Sequence, residues 1–120
     1  MEFIVIESNW SGWKEGYKPK EIKHTYTVEK GKEYNVGEIE LYSYGEYTSK
    51  PLLSFKITKV LKDGFIFKTT NQFCENHINF FNTKSTFTLK NGTPLKLLTP
   101  THDCGDIFTF LIPEEKSANN

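Results

Sequence analysis

The sequence predicts an all-β fold: a small antiparallel β-barrel or barrel-like sandwich of about eight strands, built from meander hairpins. Three observations carry this expectation. Alanine, the best helix former, occurs once in 120 residues, at Ala118. Valine, isoleucine, threonine and the aromatic residues make up 44 of the 120, and these are the side chains that fit a pleated, half-buried surface. Turn signals recur every 8 to 15 residues, as in a chain that meanders and then curls on itself. A single domain over residues 1–112 follows, with a polar tail, 113–120, expected to fray.

The first strand is read at residues 2–7, an apolar run bounded by Glu2 and Glu7. Further strands are expected at 22–29, 34–44, 52–61, 65–71, 78–81, 85–90, 94–99 and 107–112. Over residues 37–46, Ile39 and Leu41 alternate with Glu38, Glu40, Tyr42, Tyr44 and Glu46. One face is therefore expected to be buried and the other wet.

Two hairpins can be placed in register. A two-residue turn at Asp63-Gly64 would set Lys59 against Lys68, a like-charge pair. A three-residue loop closed by a left-handed Gly64 pairs Leu61 with Phe65 and Lys59 with Phe67. It gathers Leu53, Phe55, Ile57, Leu61, Phe65 and Phe67 on one face, and the pattern favours it. The same reasoning at Lys90-Asn91-Gly92 opposes Phe87 to Leu95 and Leu89 to Thr93. Phe87, Leu89, Leu95 and Leu97 then share the core face.

Charge narrows the range of functions. Fifteen lysines balance fifteen acids, and arginine is absent. Arginine supplies the bidentate fork for phosphate and guanine edges, so nucleic acid is not an expected partner. The arginine deficit, with nine asparagines and nine isoleucines, fits an AT-rich bacterial genome. Acidic and basic blocks alternate along the chain, and adjacent strands of opposite sign are expected to neutralise each other. No apolar run approaches a membrane span and no basic leader precedes the first strand, so no membrane partner and a cytoplasmic location are expected. Cys74 and Cys104 are then free thiols.

Four groups of residues are candidates for function. Cys74, His77, His102 and Cys104 form a Cys-x2-His and a His-x-Cys pair, a ligand set suited to tetrahedral zinc. The alternative is two buried thiols and two surface histidines, with no cofactor. The same residues offer a cysteine nucleophile with a histidine base and Asp103 as orienter, although no cysteine-enzyme signature surrounds them. The polar loop 99–106 holds His102, Asp103 and Asp106 and is a candidate ligand site. Trp10, Trp13 and Tyr17 are spaced by glycine and serine. They suit either an exposed platform for sugar rings or a loop that plugs the barrel end. Glu38, Glu40, Tyr42 and Tyr44 form an acidic aromatic stripe that would suit a basic partner.

No phosphate-cradling loop, paired catalytic carboxylates or acyl-transfer motif is present. The sequence is therefore read as a non-catalytic binding or protein-interaction module for a protein or small-molecule partner. The alternatives are a small metal- or cysteine-dependent enzyme using Cys74, His77, His102 and Cys104, and a carbohydrate-binding domain using Trp10, Trp13 and Tyr17.

Overall fold

The computed structural model describes residues 1–12, 21–37, 42–43, 46–47, 53–101 and 104–113. Among them all regular structure is strand and all pairing is antiparallel, as the composition predicts. The strands are β1 (Glu2–Ser11), β2 (Glu21–Thr27), β3 (Glu33–Val36), β4 (Tyr42–Ser43), β5 (Glu46–Tyr47), β6 (Leu53–Leu61), β7 (Gly64–Glu75), β8 (Thr83–Lys90), β9 (Leu95–Leu98) and β10 (Cys104–Leu111). No helix among the described residues is long and apolar enough to cross a membrane.

Eight strands form one curled, barrel-like sheet in the order β2-β1-β10-β9-β7-β6-β3, with β8 on the other edge of β7. β4 and β5 form a separate two-stranded ladder. β7 is the corner of the fold. Its first half pairs with β6, while its last residues, Cys74 and Glu75, pair with Leu98 and Leu97 of β9. The arm β6-β3 and the arm β9-β10-β1-β2 therefore leave the same strand.

The two arms face each other across a phenylalanine core. Phe3 of β1 lies 4.9 Å, centroid to centroid, from Phe65 of β7, and Phe67 of β7 lies 4.6 Å from Phe110 of β10. Phe55 of β6 meets Phe110 at 5.2 Å, edge to face. These rings are fully buried. They lie at the separations at which aromatic pairs attract beyond the burial of their area. At the margin, β2 and β3 approach without a ladder. The Tyr34 hydroxyl joins them, donating to the Thr27 carbonyl at 2.6 Å and accepting the Glu29 N–H at 3.0 Å.

Several local expectations need correction. The first hairpin turns on two residues, Lys62 and Asp63, so Leu61 faces Gly64 and Val60 faces Phe65. A β-bulge at Thr58 then brings Ile57 opposite Phe67, and both are buried. The expected core face survives except for Leu61, which is only half-buried. The reason is tertiary. Gly64 is needed inside the ladder opposite Lys90 of β8, where a Cβ would strike the Leu89 carbonyl, and the Asp63 carbonyl accepts the Asn91 N–H at 2.8 Å. Gly64 is accordingly not left-handed.

The second hairpin is only a turn. Gly92 is left-handed, with φ 77°, and Thr93 N donates to the Lys90 carbonyl at 3.2 Å. Beyond the single bridge Lys90–Thr93, β8 stays with β7 and β9 crosses to β10. Pro94, which has no N–H to donate, stands where the ladder would continue. Phe87, Leu89, Leu95 and Leu97 still share one core, as expected, but from different parts of the sheet.

Residues 78–81 form no strand. Asn79 makes a turn there, its side-chain oxygen accepting the Phe81 N–H at 3.1 Å. β1, β7 and β10 run further than expected, because β1 and β10 pair out to Ser11–Cys104 and β7 continues through a bulge to Glu75. β3 ends at Val36, and Glu38, Ile39, Glu40, Leu41 and Tyr44 lie outside the described residues. Cross-strand neutralisation occurs at Lys84–Glu75, 2.7 Å apart; Glu33 stands opposite Lys56 in register, yet Lys56 also faces Lys68.

Candidate functional site

The inward face of β1 changes character along its length. Phe3 and Val5 point into the core, and Glu7 and Asn9 follow in the same phase; all four are buried. β10 mirrors this pattern. Phe110 faces Val5, Phe108 faces Glu7, and Asp106 faces Asn9. The interior is therefore apolar at one end and polar at the other. Burying such groups is unfavourable unless they find partners.

Glu7 is fully buried and lies 3.0 Å from His24 Nε2. His24 sits in the inward phase of β2, its ring stacked on Tyr26 at 6.1 Å. Asp106 is 6% exposed, yet its Oδ1 has no hydrogen-bond partner. Burial, and then the negative charge of Glu7, push its carboxyl up to about 7. Its backbone is well held: the N–H donates to Thr99 Oγ1 at 2.9 Å and the carbonyl accepts the Thr99 N–H at 3.1 Å.

A cleft of about 370 Å³ lies beside Asp106. It is lined by residues 71–73 of β7, by residues 99–101 after β9, and by Asp106 and Phe108 of β10. Phe73 and Phe108 meet edge to face at 6.0 Å. Asp106 is the only titratable residue in this lining among the described residues.

On the opposite face of β10, Gly105 stands across from Trp10. A Cβ at position 105 would meet Trp10 Nε1 at 2.8 Å and the Thr99 and Thr101 hydroxyls at 2.6 Å. The glycine leaves the gap that the indole edge fills. Trp10 is half-buried, its Nε1 has no hydrogen-bond partner, and it belongs to β1 and not to a loop. Trp13 and Tyr17 lie outside the described residues.

The other candidates are distributed as follows. Cys74 is a buried free thiol on β7 that donates to the Asn79 carbonyl at 3.5 Å, and His77 is exposed in the turn that follows. Cys104 opens β10 opposite Ser11, on a strand separated from β7 by β9. His102 and Asp103 lie outside the described residues. Among the described residues no three of His, Cys, Asp and Glu gather as a metal-binding group. Tyr42 pairs with Tyr47 in the β4–β5 ladder.

Of the residues gathered at the polar end, the sequence reading included Asp106 and missed Glu7, Asn9 and His24. The signal was present: Glu7 and Asn9 continue the period-two phase of Phe3 and Val5. No family model, curated protein or solved structure matches the chain.

Proposed function

We propose that this chain is a non-catalytic binding domain that takes a small polar ligand in the cleft beside Asp106. The observation that carries the reading is a carboxyl that is nine-tenths buried, lines the cleft and has an oxygen without a partner. A buried acceptor left unmade is destabilising by about 1–3 kcal/mol, and such a group is most simply explained by something that docks against it. The other described lining residues are amides, hydroxyls, phenylalanines and a proline. Glu7 and His24 pair with each other and do not line the cleft, which supports binding over catalysis. Cys74, a free thiol sealed in the fold, suits a reducing, cytoplasmic setting in a bacterium.

The test is a survey of neutral, anionic and cationic fragments by amide chemical shifts on labelled protein. Shifts centred on Gln72, Phe73, Thr99, Asp106 and Phe108 are expected. A survey in which no fragment moves those amides, or in which all binding falls elsewhere on the sheet, would refute the reading.

A further inference from the structure

We infer that a second site, apart from the Asp106 cleft, binds a small oxyanion: a carboxylate or phosphate group held between the ammonium groups of Lys56 and Lys68. It lies on the outer face of β6 and β7, in an open cleft of about 360 Å³ whose lining includes both lysines, Thr70 and Glu33. Three observations carry the inference.

The first is an uncompensated pair of charges. A row of directly opposed residues crosses the outer face: Glu33 of β3, Lys56 of β6, Lys68 of β7 and Thr86 of β8. Like charges set directly opposite on neighbouring strands are destabilising. Among the described residues neither ammonium is in an ion pair, with Glu33 or with any other acid. Lys84, by contrast, is neutralised by Glu75. An oxyanion between Lys56 and Lys68 would turn their repulsion into two charge-assisted hydrogen bonds.

The second is access. Lys56, Lys68 and Thr70 are all exposed, so a ligand reaches them without disturbing the core. Thr70 follows Lys68 in the same phase of β7, and its hydroxyl has no hydrogen-bond partner among the described residues. It is free to serve as a third donor. The Thr58 and Thr69 hydroxyls in the same lining already donate to the Ile66 and Asn71 carbonyls and play no part.

The third is the setting of the cleft. It lies where two ladders are interrupted: β6 bulges at Thr58, and β7 parts from β8 between Lys68 and Phe73. Bulges re-aim side chains and recur beside functional sites. Two lysines against one glutamate leave the lining net positive, so a cation is repelled. Glu33 stands on the far side of Lys56 from Lys68, which places the anion toward Lys68. Lysine offers point charges without the planar fork of arginine, so carboxylate and phosphate share this chemistry and the experiment separates them.

Inorganic phosphate and acetate are each titrated at pH 7.5 into labelled full-length protein, with ionic strength held constant by sodium chloride. Saturable shifts centred on the amides of Lys56, Lys68 and Thr70 are expected with at least one anion, and the tighter binder names the class. Lys56→Gln and Lys68→Gln should each weaken that binding by about three- to fivefold, the span of one solvent-screened charge pair. Lys96→Gln, at an exposed position of β9 outside the cleft, should leave it unchanged. Shifts that never saturate, or that spread equally to Lys96, would show ionic screening alone and overturn the inference. Glutamine variants of Lys56 and Lys68 that bind as the parent does overturn it too. The titration of the parent decides the question even if a variant fails to fold. Neither result bears on the Asp106 cleft.

Discussion

At the scale of the single residue, Asp106 sets a pH dependence. Its carboxyl holds a proton up to about 7 in the folded chain, against an ordinary value of 3.8. The folded state therefore binds more protons than the unfolded state between these values, and stability falls as pH rises through that window. The contribution is complete below 3.8 and lost above about 7, a difference of roughly 4 kcal/mol at most. Asp106→Asn keeps the shape and has no proton to lose. It should flatten this slope and be more stable than the parent at pH 8. Thermal unfolding at pH 5 and pH 8 checks this, and a variant that loses as much stability as the parent would assign the titration to another group. The sequence placed Asp106 in a polar loop, whereas it sits on a strand facing inward. Its partners were hidden because Glu7 reads as the acid that ends an apolar run. Only the pairing with β10 shows that the strand continues to Ser11 with Glu7 and Asn9 turned inward.

At the scale of the element, the clearest dependence is that of β7 on both of its neighbours. Gly64 lies between Leu61 of β6 and Lys90 of β8, and a methyl group there would run into the Leu89 backbone. Backbone cannot swing aside as a flexible side chain can, so Gly64→Ala should destabilise the domain by about 1–3 kcal/mol. Denaturant unfolding measures this, and a loss below about 0.5 kcal/mol would mean that β8 can draw away from β7. The strand periods were legible where one face is continuously buried, as in Phe55-Lys56-Ile57 and Phe65-Ile66-Phe67. Register was not. The bulge at Thr58 answers to β8, which is distant in sequence, and Pro94 decides that β9 leaves β8. The apolar run Ile78-Asn79-Phe80-Phe81 resembled a strand by composition, but the Asn79 side chain bonds the local backbone and leaves Phe81 fully exposed.

At the scale of the whole molecule, one aromatic cluster joins both arms of the sheet. Phe67 touches Phe55 of one arm at 5.3 Å and Phe110 of the other at 4.6 Å, and it is fully buried. Phe67→Ala should cost about 3–5 kcal/mol and weaken both arms together. Unfolding followed by tryptophan fluorescence and by far-ultraviolet circular dichroism should give one shared midpoint, lower than that of the parent. Separate midpoints would show that the arms are independent units. The curled β architecture was legible because composition and alternation both point to it. The branching at β7 was not, since nothing in one strand's sequence states which neighbour takes which half of its edge. The pairing of β1 with β10 also bears on synthesis. β1 gains β2 on one edge early in synthesis, but its other edge pairs with β10, the last of the described strands, and stays open while the strands between are made. Completion of this sheet thus waits for β10, and a nascent chain stalled before β10, with that edge of β1 unpaired, is the species that most needs a chaperone.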